Sequence, residues 1–178
     1  MRAFVAVNLP KEAKDYLFNL KKQVKEAKIN WVHKKNLHLT LIFLGEITEE
    51  QLNQLKEKLK EIKFKPIKAN LSKLGFFPNQ NNPKCIWVSL EPAKEINQLQ
   101  LLVDQETIGM AHNEQKFVSH ITIGRLKSIK NKKTFQKSLD ELEMEKIDFT
   151  VDSFQLIKSD LTRTGPKYTI IKEYEAMS

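Results

Sequence analysis

Apolar and polar positions alternate from Arg2 to Val7, which predicts a β-strand, and Pro10 then stands where a helix can begin. From Lys11 to about Ala27 the apolar residues Ala13, Leu17, Leu20, Val24 and Ala27 recur at helical spacing. A strand-like run from Leu37 to Leu44 follows Trp31-Val32 and ends at Gly45. Thr48-Glu49-Glu50-Gln51 reads as a capping box, opening a helix with Leu52, Leu55, Leu59 and Ile62 on one face. Ile67, Ala69 and Leu71 alternate as a strand, Phe76 to Pro83 reads as a polar loop, and Cys85 to Leu90 as another strand. The second half repeats the theme. A helix is expected over Ala93 to Ala111, a strand over Phe117 to Leu126, and a shorter helix around Phe135, Leu139 and Leu142. The last two strands, Ile147 to Leu161 and Tyr168 to Tyr174, flank the turn Thr164-Gly165-Pro166.

No linker rich in Gly, Ser or Pro divides the chain, so its 178 residues are expected to form one domain around a continuous core. Helices and strands alternate, yet the glycine-rich phosphate loop of a parallel nucleotide-binding sheet is missing. The expected class is therefore α+β with largely antiparallel sheets.

Composition narrows the function classes. No apolar run approaches the roughly 20 residues that span a bilayer, and MRAFVAVNLP lacks the long apolar region of a secretory signal, so a cytoplasmic protein is expected. Cys85 is the sole cysteine, which rules out an intrachain disulfide, and its strand setting reads as packing. A formal charge of +8 favours polyanionic partners without identifying one, since lysine-rich surfaces paired with glutamate also mark thermophilic proteins. Basic runs such as Lys127 to Lys133 and His33-Lys34-Lys35 could steer RNA, but solvated lysine faces are the commoner explanation.

The informative feature is a repeat. Two of the four histidines lie in matching contexts, His38-Leu39-Thr40-Leu41 and His120-Ile121-Thr122-Ile123. Residues two apart on a strand share a face, so each segment offers an imidazole beside a hydroxyl while its apolar neighbours face inward. With nine threonines in the chain, two of four histidines would meet this spacing by accident about once or twice in a hundred. Either segment alone would be unremarkable for a strand.

Two such strands facing one another suit chemistry at a phosphodiester. A neutral imidazole takes a proton from the attacking hydroxyl or water, and a protonated one gives a proton to the leaving ribose oxygen. Thr40 and Thr122 can hold the non-bridging oxygens. Arg125 could add charge-assisted contacts. On a regular strand Arg125 would point away from His120, so its participation needs a twist, a strand end or a bulge near Gly124.

These segments resemble the 2H phosphoesterase superfamily, and within it the RNA 2′,3′-cyclic phosphodiesterases, also called 2′-5′ RNA ligase-like proteins. The resemblance runs from Met1-Arg2-Ala3-Phe4-Val5-Ala6 through Trp31-Val32, both histidine segments, Phe43-Leu44-Gly45 and Ile86-Trp87-Val88 to Ser159, Leu161 and Gly165-Pro166-x-Tyr168. It implies two pseudo-symmetric antiparallel sheets flanked by helices, in intertwined lobes, with the site in the cleft between them. It further implies hydrolysis of RNA 2′,3′-cyclic phosphate ends to 2′-phosphates without cofactor or metal, with ATP-independent 2′-5′ joining as the reverse reaction. His38 would be the proton donor and His120 the acceptor, an assignment the residues themselves do not make. One departure is Ser119, where relatives usually carry proline; only the start of the strand should feel it.

Other candidates are weaker. His33, and His112 in an expected loop, show no metal-ligand spacing. Phe4, Trp31 and Phe77 could stack a base, although core packing is the commoner fate of such residues. Two further functions remain open: an RNA- or nucleotide-binding module without turnover, and a phosphodiesterase for a small cyclic nucleotide. The chain is expected to act as a monomer on RNA.

Overall fold

A computed structural model describes residues 1–110 and 115–178. Nine strands and four helices occur among them, in the order β1 (Arg2–Asn8), α1 (Lys11–Leu20), β2 (Ala27–Trp31), β3 (His38–Glu46), α2 (Glu49–Lys60), β4 (Ile67–Phe77), β5 (Cys85–Glu91), α3 (Ala93–Glu106), β6 (His120–Ile129), α4 (Lys132–Asp140), β7 (Asp148–Val151), β8 (Ser153–Thr162) and β9 (Gly165–Glu175). They build a four-stranded sheet in the order β3-β1-β8-β9 and a five-stranded sheet in the order β2-β6-β5-β4-β7. Every strand pairing is antiparallel. The fold is α+β with antiparallel sheets, the class expected from alternating helices and strands that lack a glycine-rich phosphate loop.

The chain changes sheet several times. After α2 it leaves the four-stranded sheet and enters the other as β4, and at Asp152 it crosses back from β7 to β8. The expected single strand Ile147 to Leu161 is in fact these two. The break lets one segment close the edge of the five-stranded sheet and the next join the centre of the other. One apolar cluster runs through both sheets and the helices, from Val5 and Leu39 to Leu55, Ile86, Val103, Ile121 and Phe154.

Local signals set the helix starts. The Thr48 hydroxyl accepts from the Gln51 amide (3.1 Å), and the Gln51 side chain accepts from the Thr48 amide (2.9 Å), completing the capping box. Helix α1 falls short of its apolar pattern. It ends at Leu20, a single 3₁₀ turn covers Lys21–Gln23, and Ala27 opens β2. Glu26 makes the change of direction at φ 56°. Backbone pairing of β2 with β6 covers the edge that β6 would otherwise leave open, and this outweighs continued helical periodicity. Pairing with β5 likewise carries β4 through Phe77, so Phe76 and Phe77 lie on a strand and not in the loop expected there. Helix α3 ends at Glu106, whereas the pattern extended to Ala111; Ala111 and His112 lie outside the described residues.

Candidate active site

Strand β3 carries His38 and Thr40, and β6 carries His120 and Thr122; the two strands belong to different sheets and lie against each other. On each strand the histidine and threonine are half-buried while the residue between them is buried, Leu39 on β3 and Ile121 on β6. The two strands repeat a further detail. Against β1, β3 slips register at Leu41, so that Ala6 faces Thr40 and Val5 faces Ile42. Against β5, β6 slips at Ile123, so that Trp87 faces Thr122 and Ile86 faces Gly124. Each slip places two consecutive residues inward and returns the next one to the histidine side. Those residues are Phe43 on β3 and Arg125 on β6, both exposed. The parity that would turn Arg125 away is thus broken by the bulge at Ile123, next to Gly124. The Arg125 charge accordingly acts on the hydroxyl of Tyr168, whose ring lies against His38.

Gly124 serves the close approach of β2. A methyl group there would come within 2.6 Å of Ile29 Cγ2 and 3.1 Å of Trp31 Cε3, so only glycine lets β2 lie flat on β6.

Both imidazoles are oriented in the same way. His38 Nδ1 lies 2.6 Å from the Asn36 carbonyl and His120 Nδ1 lies 2.7 Å from the Val118 carbonyl, in each case two residues back. A carbonyl can only accept, so Nδ1 carries the proton and Nε2 is the nitrogen left for chemistry. His38 Nε2 sits 2.8 Å from the Thr40 hydroxyl, which donates to it while the ring is neutral. His120 Nε2 makes no hydrogen bond among the described residues. Asn36 is held by its side-chain amide, which donates to the Pro166 carbonyl at 3.0 Å. The β8–β9 hairpin therefore supports the turn that orients His38.

Aromatic rings pack both histidines. His38 lies 5.0 Å from the Phe4 ring and 5.4 Å from Tyr168, the latter edge-on at 84°. His120 lies 5.0 Å from Phe77, also at 84°, and 5.7 Å from Trp87. Burial in these surroundings lowers the pKa of both imidazoles. The hydrogen bonds to Asn36 and Val118 oppose the shift, and at His38 the charges of Lys14 and His120 deepen it. Burial therefore favours the neutral form of both imidazoles, and an anion between them would draw protons onto them.

Of the aromatic residues considered from sequence, Phe4 and Phe77 line the site, while Trp31 packs against the core beside Gly124. Cys85 is buried with its Sγ 3.7 Å from the Thr122 hydroxyl, so it packs behind that side chain. Tyr168, Trp87 and Asn36 carry no local signal that ties them to the histidines. Ser119 does more than start the strand: its hydroxyl donates to the buried Leu90 carbonyl at 2.6 Å. His33 lies apart, 3.4 Å from the Thr164 carbonyl, and no helix among the described residues is long and apolar enough to cross a membrane.

Two antiparallel sheets that bring a duplicated His-x-Thr strand together define a two-histidine phosphoesterase. The chain belongs to the LigT-like phosphoesterase family, whose description matches it twice, over residues 7–87 and 88–168, one histidine strand in each. Relatives named RNA 2′,3′-cyclic phosphodiesterase include those of Methanocaldococcus jannaschii, 34% identical over 98% of this chain and 100% of the relative. The Aquifex aeolicus relative is 34% identical over 98% and 96%. Among solved structures, a Thermus thermophilus protein superposes with a TM-score of 0.78 at 28% identity, covering 98% of this chain and 97% of that one. Escherichia coli LigT complexed with 3′-AMP gives 0.80 at 22% identity over 99% and 98%, which establishes likeness of fold. The protein is an enzyme of the phosphoesterase class.

Proposed function

We propose that the enzyme hydrolyses 2′,3′-cyclic phosphate ends of RNA to 2′-phosphates, with His38 and His120 as its acid–base pair. The observation that carries this reading is the matched orientation of the two imidazoles, each with Nδ1–H tied to a carbonyl two residues back. The names of the relatives at 34% identity support the substrate class.

In the proposed reaction a water attacks the phosphorus opposite the 3′ oxygen. His120 Nε2 takes the water proton; its freedom from hydrogen bonds among the described residues suits it to this part. The P–O3′ bond breaks and protonated His38 gives its Nε2 proton to the departing oxygen, leaving the phosphate on the 2′ oxygen. The anionic phosphate restores the proton affinity that burial removes from His38. Thr40, Thr122 and Arg125 hold the non-bridging oxygens as negative charge builds on them. Joining of RNA through a 2′-5′ bond follows the same path with a 5′-hydroxyl in place of water: His120 takes the hydroxyl proton and His38 again gives its proton to the departing 3′ oxygen.

The test is incubation with a short RNA ending in 2′,3′-cyclic phosphate in the presence of EDTA. A 2′-phosphate product, lost in His38→Ala and in His120→Ala, is the expected result. Turnover that survives both substitutions, or that stops with EDTA, would refute the mechanism. Tight binding without turnover would identify a binding module instead.

A further inference from the structure

Resting on that reading, we infer that Lys14 binds the next phosphate of the RNA, the one on the 5′ oxygen of the nucleotide whose cyclic phosphate is opened. The duplication of the chain singles this residue out. Pro10 and Pro92 each precede a helix, α1 and α3, and are separated by the same number of residues as His38 and His120. The amide that bonds to the proline carbonyl belongs to Lys14 in the first helix (3.1 Å) and to Ile96 in the second (3.3 Å). Ile96 is fully buried. The fold therefore accepts an apolar residue at this position, and α1 carries a half-buried ammonium there instead.

Lys14 makes no ion pair among the described residues; the carboxylate beside it, Asp15, is taken by Lys11 and Lys34. Its ammonium donates to the Lys35 carbonyl at 3.4 Å, in the 3₁₀ turn Lys34–Asn36 that precedes β3. Burial lowers the pKa of Lys14, and its charge helps to lower that of His38. A partly desolvated cation beside an imidazole that must itself become charged is a cost until an anion arrives.

The turn indicates which anion. Lys35 adjoins Asn36, whose carbonyl holds His38 Nδ1. Lys14 is thus tied to the Nδ1 side of the imidazole, whereas the reacting phosphate meets Nε2, across the ring. The anion at Lys14 is accordingly a second one. In an RNA that ends in a cyclic phosphate, the neighbouring phosphate lies on the 5′ oxygen of the last nucleotide. A nucleoside 2′,3′-cyclic phosphate has none, so Lys14 lets the site prefer the end of a chain over a small cyclic nucleotide.

Two measurements test this. Calorimetric Kd values are compared for adenosine 2′-phosphate and adenosine 2′,5′-bisphosphate, and kcat/KM values for adenosine 2′,3′-cyclic phosphate with a free 5′-hydroxyl and with a 5′-methyl phosphate. Wild type should favour the member carrying the 5′ phosphate by about tenfold at low salt, the size of one charge-assisted contact. In Lys14→Met, which keeps the length and loses the charge, that preference should fall to about twofold or less. Lys14→Arg should keep it, and so should Lys11→Met, which removes an equal charge one turn away. An unchanged preference in Lys14→Met, a wild type without one, or an equal loss on ligands with and without the 5′ phosphate overturns the inference. Binding is read independently of turnover, so a wild type that binds with this preference but hydrolyses no cyclic phosphate refutes the proposed reaction and leaves the role of Lys14 standing.

Discussion

Gly75 offers a sharp test of how His120 is held. It lies on β4 opposite Trp87 of β5, and a methyl group on its Cα would overlap the indole at Cζ2, Cη2 and Cε2. Those atoms belong to the ring system that packs 5.7 Å from His120 and 5.1 Å from Phe77, itself against His120. Gly75→Ala must therefore shift the indole or part β4 from β5. Overpacking of this kind costs about 1–3 kcal/mol. The lower half of that range is expected, because Trp87 Nε1 is buried without a hydrogen-bond partner among the described residues, so an indole that moves breaks no bond to them. Activity should suffer more than stability: a misplacement of about 1 Å at a reacting group costs on the order of a hundredfold in rate. Trp87→Phe removes the overlapping atoms, so the double variant should be more stable than Gly75→Ala alone, with a coupling of about 1 kcal/mol in a double-mutant cycle. Urea denaturation gives the stabilities, and kcat/KM on a cyclic phosphate gives the activity. Additive energies, or a Gly75→Ala variant with wild-type stability and rate, would refute the reasoning.

Further outcomes follow from the same geometry. Burial holds both imidazoles below the ordinary histidine pKa of 6.5; protonation therefore favours the unfolded chain, and stability should be full above about pH 6.5 and decline as pH falls through the lowered values. Urea melts between pH 5 and 8 should show that decline, and it should be shallower in His120→Ala; a steeper or unchanged slope contradicts it. The rate of hydrolysis should be bell-shaped in pH, because one imidazole must be charged and the other neutral; a flat profile over that range would exclude the pair. Ser119→Ala strands the buried Leu90 carbonyl and should cost about 1–3 kcal/mol in a denaturant melt, with kcat changed little; no loss would show that the hydroxyl bond contributes nothing.

How much of this was legible without the fold is clearest at particular residues. The capping box at Thr48 and Gln51 depends only on neighbours within one turn, so the helix start was readable to the residue. The sharing of a face by His38 and Thr40, and by His120 and Thr122, follows from the period of a strand, whatever the strand packs against. The duplication of that unit is a property of the chain itself, and so is its implication of paired acid–base groups. Local rules failed where a distant partner decided the outcome. Helical spacing ran on through Val24 and Ala27, but the open edge of β6 drew Ala27 to Trp31 into a strand.

What only the tertiary structure decided is the surroundings of the two imidazoles. Tyr168 reaches His38 from a strand some 130 residues later, and Trp87 reaches His120 because Gly75, on the neighbouring strand, has no side chain. Arg125 and Phe43 lie on the histidine side of their strands because each strand slips by one residue against its partner, which strand parity in the sequence cannot register. The reason is general. Period and capping are set by bonds within a few residues, and the sequence carries them. Burial, register and the proton affinity they impose are set by segments far away along the chain, and exist only once the sheets have come together.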